Sequence, residues 1–471
     1  MKIKTPCLTQ RINRPKVLPL LLLLIHPALV QAQFIYTTNN GAITITGYDP
    51  AYGGVVAIPS TINGLPVTSI GDNAFAYLGG LLTSVTIPDG VTNIGNAAFQ
   101  YCSSLSSITI PDTVTSIGES VFVYCSDLTN VAIGSSITTI GYQAFASTGL
   151  TSFTIPSNVT SIGQQAFINC SSLTSVTIPN TITSTGEGVF AFCTSLTNVT
   201  IPNSLTSIGP DAFLNCTGLT TATIGNSVRS IGAWAFSFCT SLANITISAN
   251  VTNIGGFALS GCARLSAITV DANNPTYTSV DGVLFDKSQT TLIQCPGDVA
   301  GSFTIPAGIT SIGGGAFMSC PNLTNVTIPA SVTSIGGYAF WDCFSLTSVY
   351  FGGDAPSADS SVFTDDPATV YYLPGTTGWA NFSSNTGRPT GLWFLPNPLI
   401  LSGPGFGVQT DRFGFTISWA TNIPVVVEAC TNLANHSWAP VGTNNLVGGS
   451  SYFSDPQWKD YIRRFYRLRS L

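Results

Sequence analysis

Residues 105–125 read Leu105-Ser-Ser-Ile-Thr-Ile-Pro-Asp-Thr-Val-Thr-Ser-Ile-Gly-Glu-Ser-Val-Phe-Val-Tyr-Cys125, and this stretch predicts the fold. Ile108 and Ile110 alternate with polar residues, which places both side chains on one face of an extended segment. Pro111 ends that strand because proline has no N–H to donate to a ladder. The opening Leu-x-x-Ile-x-Ile has the strand pattern of a leucine-rich repeat.

The second half of the unit is expected to return along the other side of a core. Val114 and Ile117 supply its apolar positions, Gly118 is expected to permit a turn, and Phe122 is expected to point inward. One unit offers about six apolar side chains, each worth roughly 1.5–3 kcal/mol when fully buried. A single unit cannot cover such a face, but stacked neighbours can, so the sequence predicts an elongated solenoid with one continuous core.

The same unit recurs along most of the chain. The phrase Ile-Gly-x-x-Ala-Phe, or a close variant, places its last residue in what we call the Phe slot, and successive slots lie 22–24 residues apart. Leu259 fills the slot once, and a longer step of 58 residues to Phe317 is one repeat plus an insertion of 35. After Phe351 the period is expected to stop. The aromatic slots are Phe75, Phe99, Phe122, Phe145, Phe167, Phe190, Phe213, Phe236, Phe317 and Phe340.

The first 32 residues have the three parts of a secretory signal peptide. A basic start precedes the apolar run from Val17 to Ile25, and small residues before Ala32 suit cleavage there. The apolar run is shorter than the roughly 20 residues that a membrane-spanning helix needs. We therefore expect a secreted or cell-surface protein with no integral membrane segment in the mature chain.

Composition shifts divide the rest of the chain into four predicted regions. Residues 33–70 are expected to form an N-terminal β cap, residues 71–351 the repeats, residues 352–393 a C-terminal cap, and residues 394–471 a small all-β module. The repeats contain an insertion at about residues 271–300. Within it, Asp281-Gly282 lies between apolar runs and predicts a β hairpin.

Composition disfavours several classes of function. Only 8% of the residues are charged and 44% are hydrophobic, which excludes a disordered chain. Lys and Arg are too few for a surface that binds nucleic acid, and two histidines are too few for a multi-His metal site or most imidazole catalysis. Asp271, Asp281 and Asp286 do not have the spacing of a calcium loop. We predict a protein that is not an enzyme and has no metal or cofactor.

Most of the twelve cysteines follow the repeat rather than a disulfide framework. Nine lie three residues after the Phe slot, where Leu78 and Thr148 stand in two other units. Adjacent turns of a solenoid are about 4.8 Å apart, which exceeds the usual Cβ separation of a disulfide. The pattern therefore predicts buried free thiols. Cys295 and Cys430 lie off this series and have no assignment from sequence.

Alternation also predicts a regular outward face of Ser, Thr and Asn on the strands. Threonine suits any half-exposed strand, but the strand face of a solenoid is also its usual binding surface. Because this face is uncharged, it would recognise a glycan or a neutral protein patch through hydrogen bonds. The candidate binding residues are Thr86, Thr109, Thr154, Thr177, Thr200, Thr223, Thr246 and Thr327.

The units resemble the BspA-like leucine-rich repeat of bacterial surface proteins, over about residues 60–351. The insertion from Ser279 to Phe285 is similar to a variant repeat of that family. The resemblance implies a secreted or cell-surface protein used in adhesion, in host or matrix binding, or in co-aggregation. It implies no shared catalytic residues.

A second interpretation places the function in the C-terminal module. An accessory carbohydrate-binding protein would contact glycan through Trp419, Trp438 or Trp458. The basic segment Arg463–Arg469 at the end of the module fits either an anchoring or export signal or an edge strand protected by charge.

Overall fold

The computed structural model describes residues 33–403, 405–419, 421, 423–435 and 437–470. The predicted signal peptide and Cys7 lie outside the described residues. The first described residues form a β hairpin whose turn, Asn40-Gly41, has positive φ at both positions (51° and 75°), as a tight hairpin turn requires. The N-terminal strands are β1 (Phe34–Asn39), β2 (Ala42–Tyr48), β3 (Val55–Ala57), β4 (Thr61–Ile62) and β5 (Leu65–Ile70).

The repeats that follow contribute two short strands to most turns of a solenoid. We call each turn a rung. The strands of this part are β6 (Ser84–Thr86), β7 (Asn93–Ile94), β8 (Ser107–Ile110), β9 (Ser116–Ile117), β10 (Asn130–Ile133), β11 (Thr139–Ile140), β12 (Ser152–Thr154), β13 (Ser161–Ile162), β14 (Ser175–Thr177), β15 (Asn198–Thr200), β16 (Ser207–Ile208), β17 (Thr221–Thr223), β18 (Ser230–Ile231), β19 (Asn244–Ile247), β20 (Asn253–Ile254) and β21 (Ala267–Val270).

The rungs stack through two parallel ladders on opposite sides of the core. The longer strands form what we call the grid sheet, in runs such as β3–β6–β8–β10 and β15–β17–β19–β21. The two-residue strands form the return sheet, in which Ile117 pairs with Ile140 of the next rung. Ile108 and Ile110 are both buried, and Val114 is fully buried on the return side. The predicted strand and return path are therefore confirmed.

The Phe slots form two columns of stacked rings inside the solenoid. From Phe75 to Phe236, neighbouring ring centroids are 5.1–5.6 Å apart and each ring is at most 1% exposed. Leu259 ends this column, and a second one begins at Phe317. The inward direction predicted for Phe122 is confirmed.

The expectation that the period stops after Phe351 is wrong. Phe363 stacks on Phe340 with 5.3 Å between ring centroids, and the grid sheet continues in parallel through residues 369–372 and 390–392. The local sequence, Ala358-Asp-Ser-Ser-Val-Phe363, lacks the Ile-Gly of the repeat phrase. The buried ring keeps its place although its flanking residues differ.

The role expected for Gly118 and its equivalents is also wrong. Their φ angles are not in the left-handed region, but they have no room for a side chain. A Cβ at Gly141 would lie 2.5 Å from the carbonyl oxygen of Gly118, in the preceding rung. Left-handed residues instead stand two positions before and after the Phe slot, as at Ser120 (φ 57°) and Tyr124 (φ 60°).

The insertion contains the predicted hairpin. Its strands are β22 (Tyr277–Val280), β23 (Val283–Asp286) and β24 (Thr291–Gln294), and the turn has φ of 49° at Asp281 and 80° at Gly282. Asn274 is 1% exposed and its side chain makes four hydrogen bonds to backbone groups, two of them to the carbonyls of Ser248 and Val251. These hydrogen bonds join the insertion to the rung before it. The buried residues nevertheless separate into two clusters at this point, so the expectation of one continuous core is wrong.

The solenoid ends in further parallel strands and one helix. Trp379 and Phe382 of that helix pack against Phe351, with ring centroids 5.0 and 5.5 Å away, and so cover the end of the core. These elements are β25 (Gly301–Thr304), β26 (Ser311–Ile312), β27 (Leu323–Ile328), β28 (Ser334–Ile335), β29 (Ser348–Phe351), β30 (Thr369–Tyr372), α1 (Trp379–Thr386) and β31 (Thr390–Leu392).

The eleven described cysteines are free and buried, as predicted. Within the repeats, most thiols donate to the carbonyl of the Phe slot in the preceding rung, as Cys125 does to Phe99 at 3.1 Å. Burial raises the pKa of Cys216 to about 12, so this thiol is unreactive. Leu78 takes the cysteine position in the first such rung. No Phe slot precedes this rung, so there is no Phe-slot carbonyl to which a thiol could donate. Cys295 lies in the second core cluster.

The C-terminal module consists of two antiparallel sheets, which confirms the predicted all-β module. Its small core includes Phe415 and Phe453. Segment β38 is an edge strand, and its Arg467 and Arg469 both bond to the carboxylate of Glu428. The strands are β32 (Leu399–Leu401), β33 (Gly407–Gln409), β34 (Arg412–Ser418), β35 (Val425–Cys430), β36 (Ala439–Asn444), β37 (Ser450–Asp455) and β38 (Phe465–Ser470).

Candidate binding surface

The grid sheet places the candidate threonines side by side on the outside of the solenoid. Thr177 pairs with Thr154 of the preceding rung, and Thr200 pairs with Thr223 of the following one. Alternation explains this, since the residues between them point into the core. Seven of the eight candidates are exposed, and Thr327 is half-buried. Ala132 interrupts the row next to Thr109.

Neighbouring threonines on this sheet have different roles. In several rungs the residue just before the strand uses its hydroxyl inside the fold, as Thr174 donates to the carbonyl of Thr151 at 2.8 Å and Thr220 to that of Thr197 at 2.9 Å. Within the part of the chain that the structure describes, the hydroxyls of Thr177, Thr200 and Thr223 have no such partner. These three are free to bond an external molecule.

A groove of about 660 Å³ lies over the same three threonines. It crosses three consecutive rungs along the solenoid axis. Its polar rim includes three exposed asparagines, and the Asn203 carboxamide oxygen accepts the backbone N–H of Asn226 at 2.8 Å. The lining consists of Ser175, Val176, Thr177, Ile178, Asn180, Asn198, Thr200, Ile201, Pro202, Asn203, Thr223, Ile224, Gly225 and Asn226.

Sequence reasoning missed Asn180, Asn203 and Asn226. Each stands two residues after the last apolar residue of its strand segment, where other rungs carry residues such as Asp112 or Ser135. The sequence does show asparagine at that position in three consecutive rungs. This recurrence indicates a binding role only once the groove is known, because an exposed amide by itself is an ordinary surface residue.

The groove lies at an interruption of the grid sheet. Among the described residues, no ladder pairing joins β14 to β15, although each pairs with a strand on its other side. The return sheet is interrupted in the same rung, where Thr185 stands in place of an isoleucine and accepts the N–H of Gly209 at 2.8 Å. The free edges of two strands therefore meet beneath the groove.

The groove is lined by hydroxyl and carboxamide groups that can form hydrogen bonds. None of its lining residues is an acid, a base, a cysteine or a histidine. Across the described residues, no cluster of three or more potential metal ligands occurs. Asp286, considered for a calcium loop, bonds instead within its own turn, to Ser288, Thr290 and Thr291.

Of the three tryptophans considered as glycan contacts, one is buried and two are half-buried. Trp419 is 7% exposed and its indole N–H donates to the carbonyl of Leu395, so its proposed role as a contact residue is wrong. The guanidinium of Arg467 covers Trp438, with 4.5 Å to the ring centroid. Trp458 donates to the carbonyl of Asp411. Of the three, Trp419 belongs to the core of the module, and the role of Trp438 and Trp458 as contact residues stays a prediction.

The outer face of the grid sheet becomes aromatic at its C-terminal end. Thr327 pairs with Tyr350, and Tyr350 pairs with Tyr371 in the next rung. The two tyrosine rings are stacked with centroids 5.2 Å apart, and Trp393 lies 5.0 Å from Tyr350. The row of threonines therefore ends in half-buried aromatic residues.

Two parallel ladders stacked on a period of about 23 residues, with a strand face of small polar residues, define a leucine-rich-repeat solenoid. The profile of the BspA type leucine-rich repeat region matches six copies, at residues 56–174, 160–291 and 299–376. The chain belongs to this family, and the last match extends beyond Phe351 as the structure does.

Among solved structures, the chain is similar to a leucine-rich repeat protein from Bacteroides ovatus, with 25% identity and a TM-score of 0.49 over 72% of this chain and 98% of that one. It is also similar to a leucine-rich cell surface protein from Faecalibacterium prausnitzii, with 29% identity and a TM-score of 0.46 over 78% and 94%. No curated protein matches the chain. In the described residues, no helix has the length and apolar character needed to cross a bilayer.

Proposed function

We propose that this chain is an exported, non-enzymatic binding protein that holds an extracellular protein or glycan on its grid sheet. The observation that supports this most directly is the groove over Thr177, Thr200 and Thr223, whose hydroxyls have no partner within the described chain. The predicted signal peptide and the membership of the BspA-type family favour a secreted or cell-surface location.

The groove favours an uncharged ligand rich in hydrogen-bonding groups. Its polar side chains are hydroxyls and carboxamides, which both donate and accept. They project from strands of a stacked solenoid, and the backbone on either side is held by inter-rung hydrogen bonds such as that from the Ile201 N–H to the Thr223 carbonyl. A surface held in this way loses little conformational entropy on binding. Sugar hydroxyls or a peptide backbone would suit it.

Substitution of the three groove threonines tests the proposal. The Thr177→Lys/Thr200→Lys/Thr223→Lys variant of the mature chain fills the groove with like charges. Thr86→Lys/Thr109→Lys/Thr246→Lys is the matched control, because it changes the same strand position outside the groove. Binding is measured on an array of neutral oligosaccharides and immobilised extracellular matrix proteins.

We expect the groove variant to lose binding to the captured ligand while the control variant binds like wild type. Circular dichroism and thermal melting of both variants should match wild type, since all six positions point out of the core. Wild-type affinity should also be constant across the physiological pH range, because no titratable side chain lines the groove. Equal binding by wild type and the groove variant would exclude this face.

A further inference from the structure

A column of exposed tyrosines runs along a different part of the solenoid. Tyr77, Tyr101 and Tyr124 each stand two residues after the Phe slot in consecutive rungs. Their rings are stacked, with centroids 5.1 Å and 4.7 Å apart, yet the side chains are 70%, 39% and 48% exposed. We call these three residues the tyrosine column.

The fold does not need aromatic residues in these positions. All three tyrosines have left-handed backbone angles, with φ of 61°, 59° and 60°, which is an unfavourable conformation for a bulky residue. The same slot holds the smaller polar residues Ser147, Asn169 and Asn215 in three other rungs, and a phenylalanine at Phe192 and Phe238. The left-handed backbone recurs in this slot whether or not the residue is aromatic, so the fold sets the backbone angle but not the choice of tyrosine.

The backbone beneath the column is held in place. The N–H of Tyr77 donates to the carbonyl of Gln100 at 2.8 Å, that of Tyr101 to Val123 at 2.8 Å, and that of Tyr124 to Ala146 at 3.0 Å. The three phenol hydroxyls have no hydrogen-bond partner within the described residues. The column therefore presents a row of free hydroxyl oxygens at rung spacing. Stacking on Tyr101 covers only one face of the Tyr77 ring.

In the half of the chain that carries the column, every charged residue is acidic. Residues 33–228 contain no Lys or Arg, whereas residues 229–471 contain ten. Glu119 and Asp127 belong to the same rung as Tyr124 and are exposed. The acidic residues of the N-terminal half are Asp49, Asp72, Asp89, Asp112, Glu119, Asp127, Glu187 and Asp211.

We infer that the tyrosine column is a second binding surface, separate from the groove, and that its partner is an arginine-containing segment of a cationic protein. A guanidinium can stack on the open face of Tyr77 and donate N–H groups to the phenol oxygens along the column. The surrounding negative potential attracts a positively charged partner and increases its rate of association. The same potential repels anionic glycans and anionic membranes.

Arginine is favoured over lysine as the contact residue. Its planar guanidinium stacks on an aromatic face and has five donors, whereas the lysine ammonium is a strongly hydrated point charge. A neutral sugar chain is the alternative occupant, but the acidic residues of this half of the chain would not increase its affinity.

The test compares the binding of three peptides to the mature chain and to its variants. The probes are an arginine-rich peptide and two versions of it, in which lysine or glutamine replaces every arginine. The column variant is Tyr77→Ser/Tyr101→Asn/Tyr124→Ser, which uses residues already present in that slot. The control is Phe192→Ser, since Phe192 occupies the same slot and is 37% exposed, but its neighbouring rungs hold Asn169 and Asn215 there.

We expect the arginine peptide to bind wild type more tightly than the lysine peptide, and the glutamine peptide not to bind. The column variant should bind the arginine peptide about tenfold more weakly and lose the preference over lysine. The Phe192→Ser control should behave like wild type. Thermal melting of the column variant should be no lower than wild type, because the substitution relieves left-handed strain.

Two results would overturn the inference. One is equal affinity of wild type and the column variant for the arginine peptide, including the absence of binding by both. The other is binding of a neutral oligosaccharide to wild type that the column variant loses.

Discussion

The solenoid and the C-terminal module are stabilised in different ways. Among the described residues, all four ion pairs lie between residues 411 and 469, in the module. In the solenoid, neighbouring rungs are joined by parallel backbone ladders, stacked aromatic rings and the thiol-to-carbonyl bonds of the cysteine series. The module instead closes two small antiparallel sheets over a core around Phe415.

This difference shows which contacts the stability of each region depends on. A rung contacts its neighbours in the stack, so the stability of the solenoid is close to a sum of nearest-neighbour terms. The module has no repeating neighbour, and its strands pair across long sequence distances, as β34 does with β37. Local damage should therefore spread along the solenoid but leave the module intact.

Removal of a central ring tests this independence most strongly. Phe213→Ala deletes a fully buried ring from the column and should cost about 3–5 kcal/mol of the free energy of unfolding. Hydrogen exchange measured along the whole chain should accelerate in rungs on both sides of residue 213 and stay unchanged in β34 and β35.

The counterpart substitution is Phe415→Ala in the module, which removes a ring that is also fully buried. It should accelerate exchange in β34 and β37 without changing the rungs near residue 213. If either substitution weakened both regions equally, the two would form one cooperative unit and the comparison would fail.

A glycine that touches the preceding rung gives a smaller effect, confined to the solenoid. A Cβ at Gly209 would lie 2.6 Å from the carbonyl oxygen of Gly186, so Gly209→Ala should separate the rungs and cost about 1–3 kcal/mol. Gly256→Ala is the control, because a Cβ there has no atom within 4 Å. Chemical denaturation should show no loss of stability for the control. Similar losses in both variants would mean that close approach is not the cause.

The last prediction is that the two regions respond to pH in opposite directions. Burial raises the pKa of Asp366, near the end of the solenoid, from 3.8 to about 7, and outweighs the N–H of Ala368 and the charge of Arg388. The folded state therefore binds more protons than the unfolded state between these values, and this region loses stability as the pH rises through them.

Glu428 in the module has the reverse behaviour. Hydrogen bonds from Arg467 and Arg469 lower its pKa below 4.5, so its contribution is present above that value and is lost as the pH falls further. Hydrogen exchange near Asp366 and near Glu428, followed from neutral to acidic pH, should show these opposite trends. Asp366→Asn should abolish the first and Glu428→Gln the second. Identical trends in the two regions would contradict the assignment.

Sequence reasoning succeeded where each rung has the same surroundings as the next. Ile108, Ile110 and Phe122 were placed correctly because a recurring apolar position has a recurring environment. The Asp281-Gly282 hairpin was recognised because its turn is a local property of two residues. Outward placement of Thr177, Thr200 and Thr223 followed from alternation alone.

Prediction from sequence failed where a residue occupies a recurring position of the fold but lacks the sequence pattern that marks that position elsewhere. Phe363 continues the column without the Ile-Gly phrase. Trp419 continues the alternation of Phe415 and Ile417, a sign of burial that the glycan interpretation did not use. Gly118 resembles a turn residue in sequence, but the close approach of another rung explains it.

The amino-acid sequence by itself determined the period, the side of each strand that faces the core, and the buried state of the cysteines. Those features depend on local alternation and on a repeated environment. Only the tertiary structure decided which threonine hydroxyls are used inside the fold, where the grid sheet opens into a groove, and that Tyr77, Tyr101 and Tyr124 stack in the open. These properties arise from contacts between rungs about 23 residues apart, and no single stretch of sequence contains both partners of such a contact.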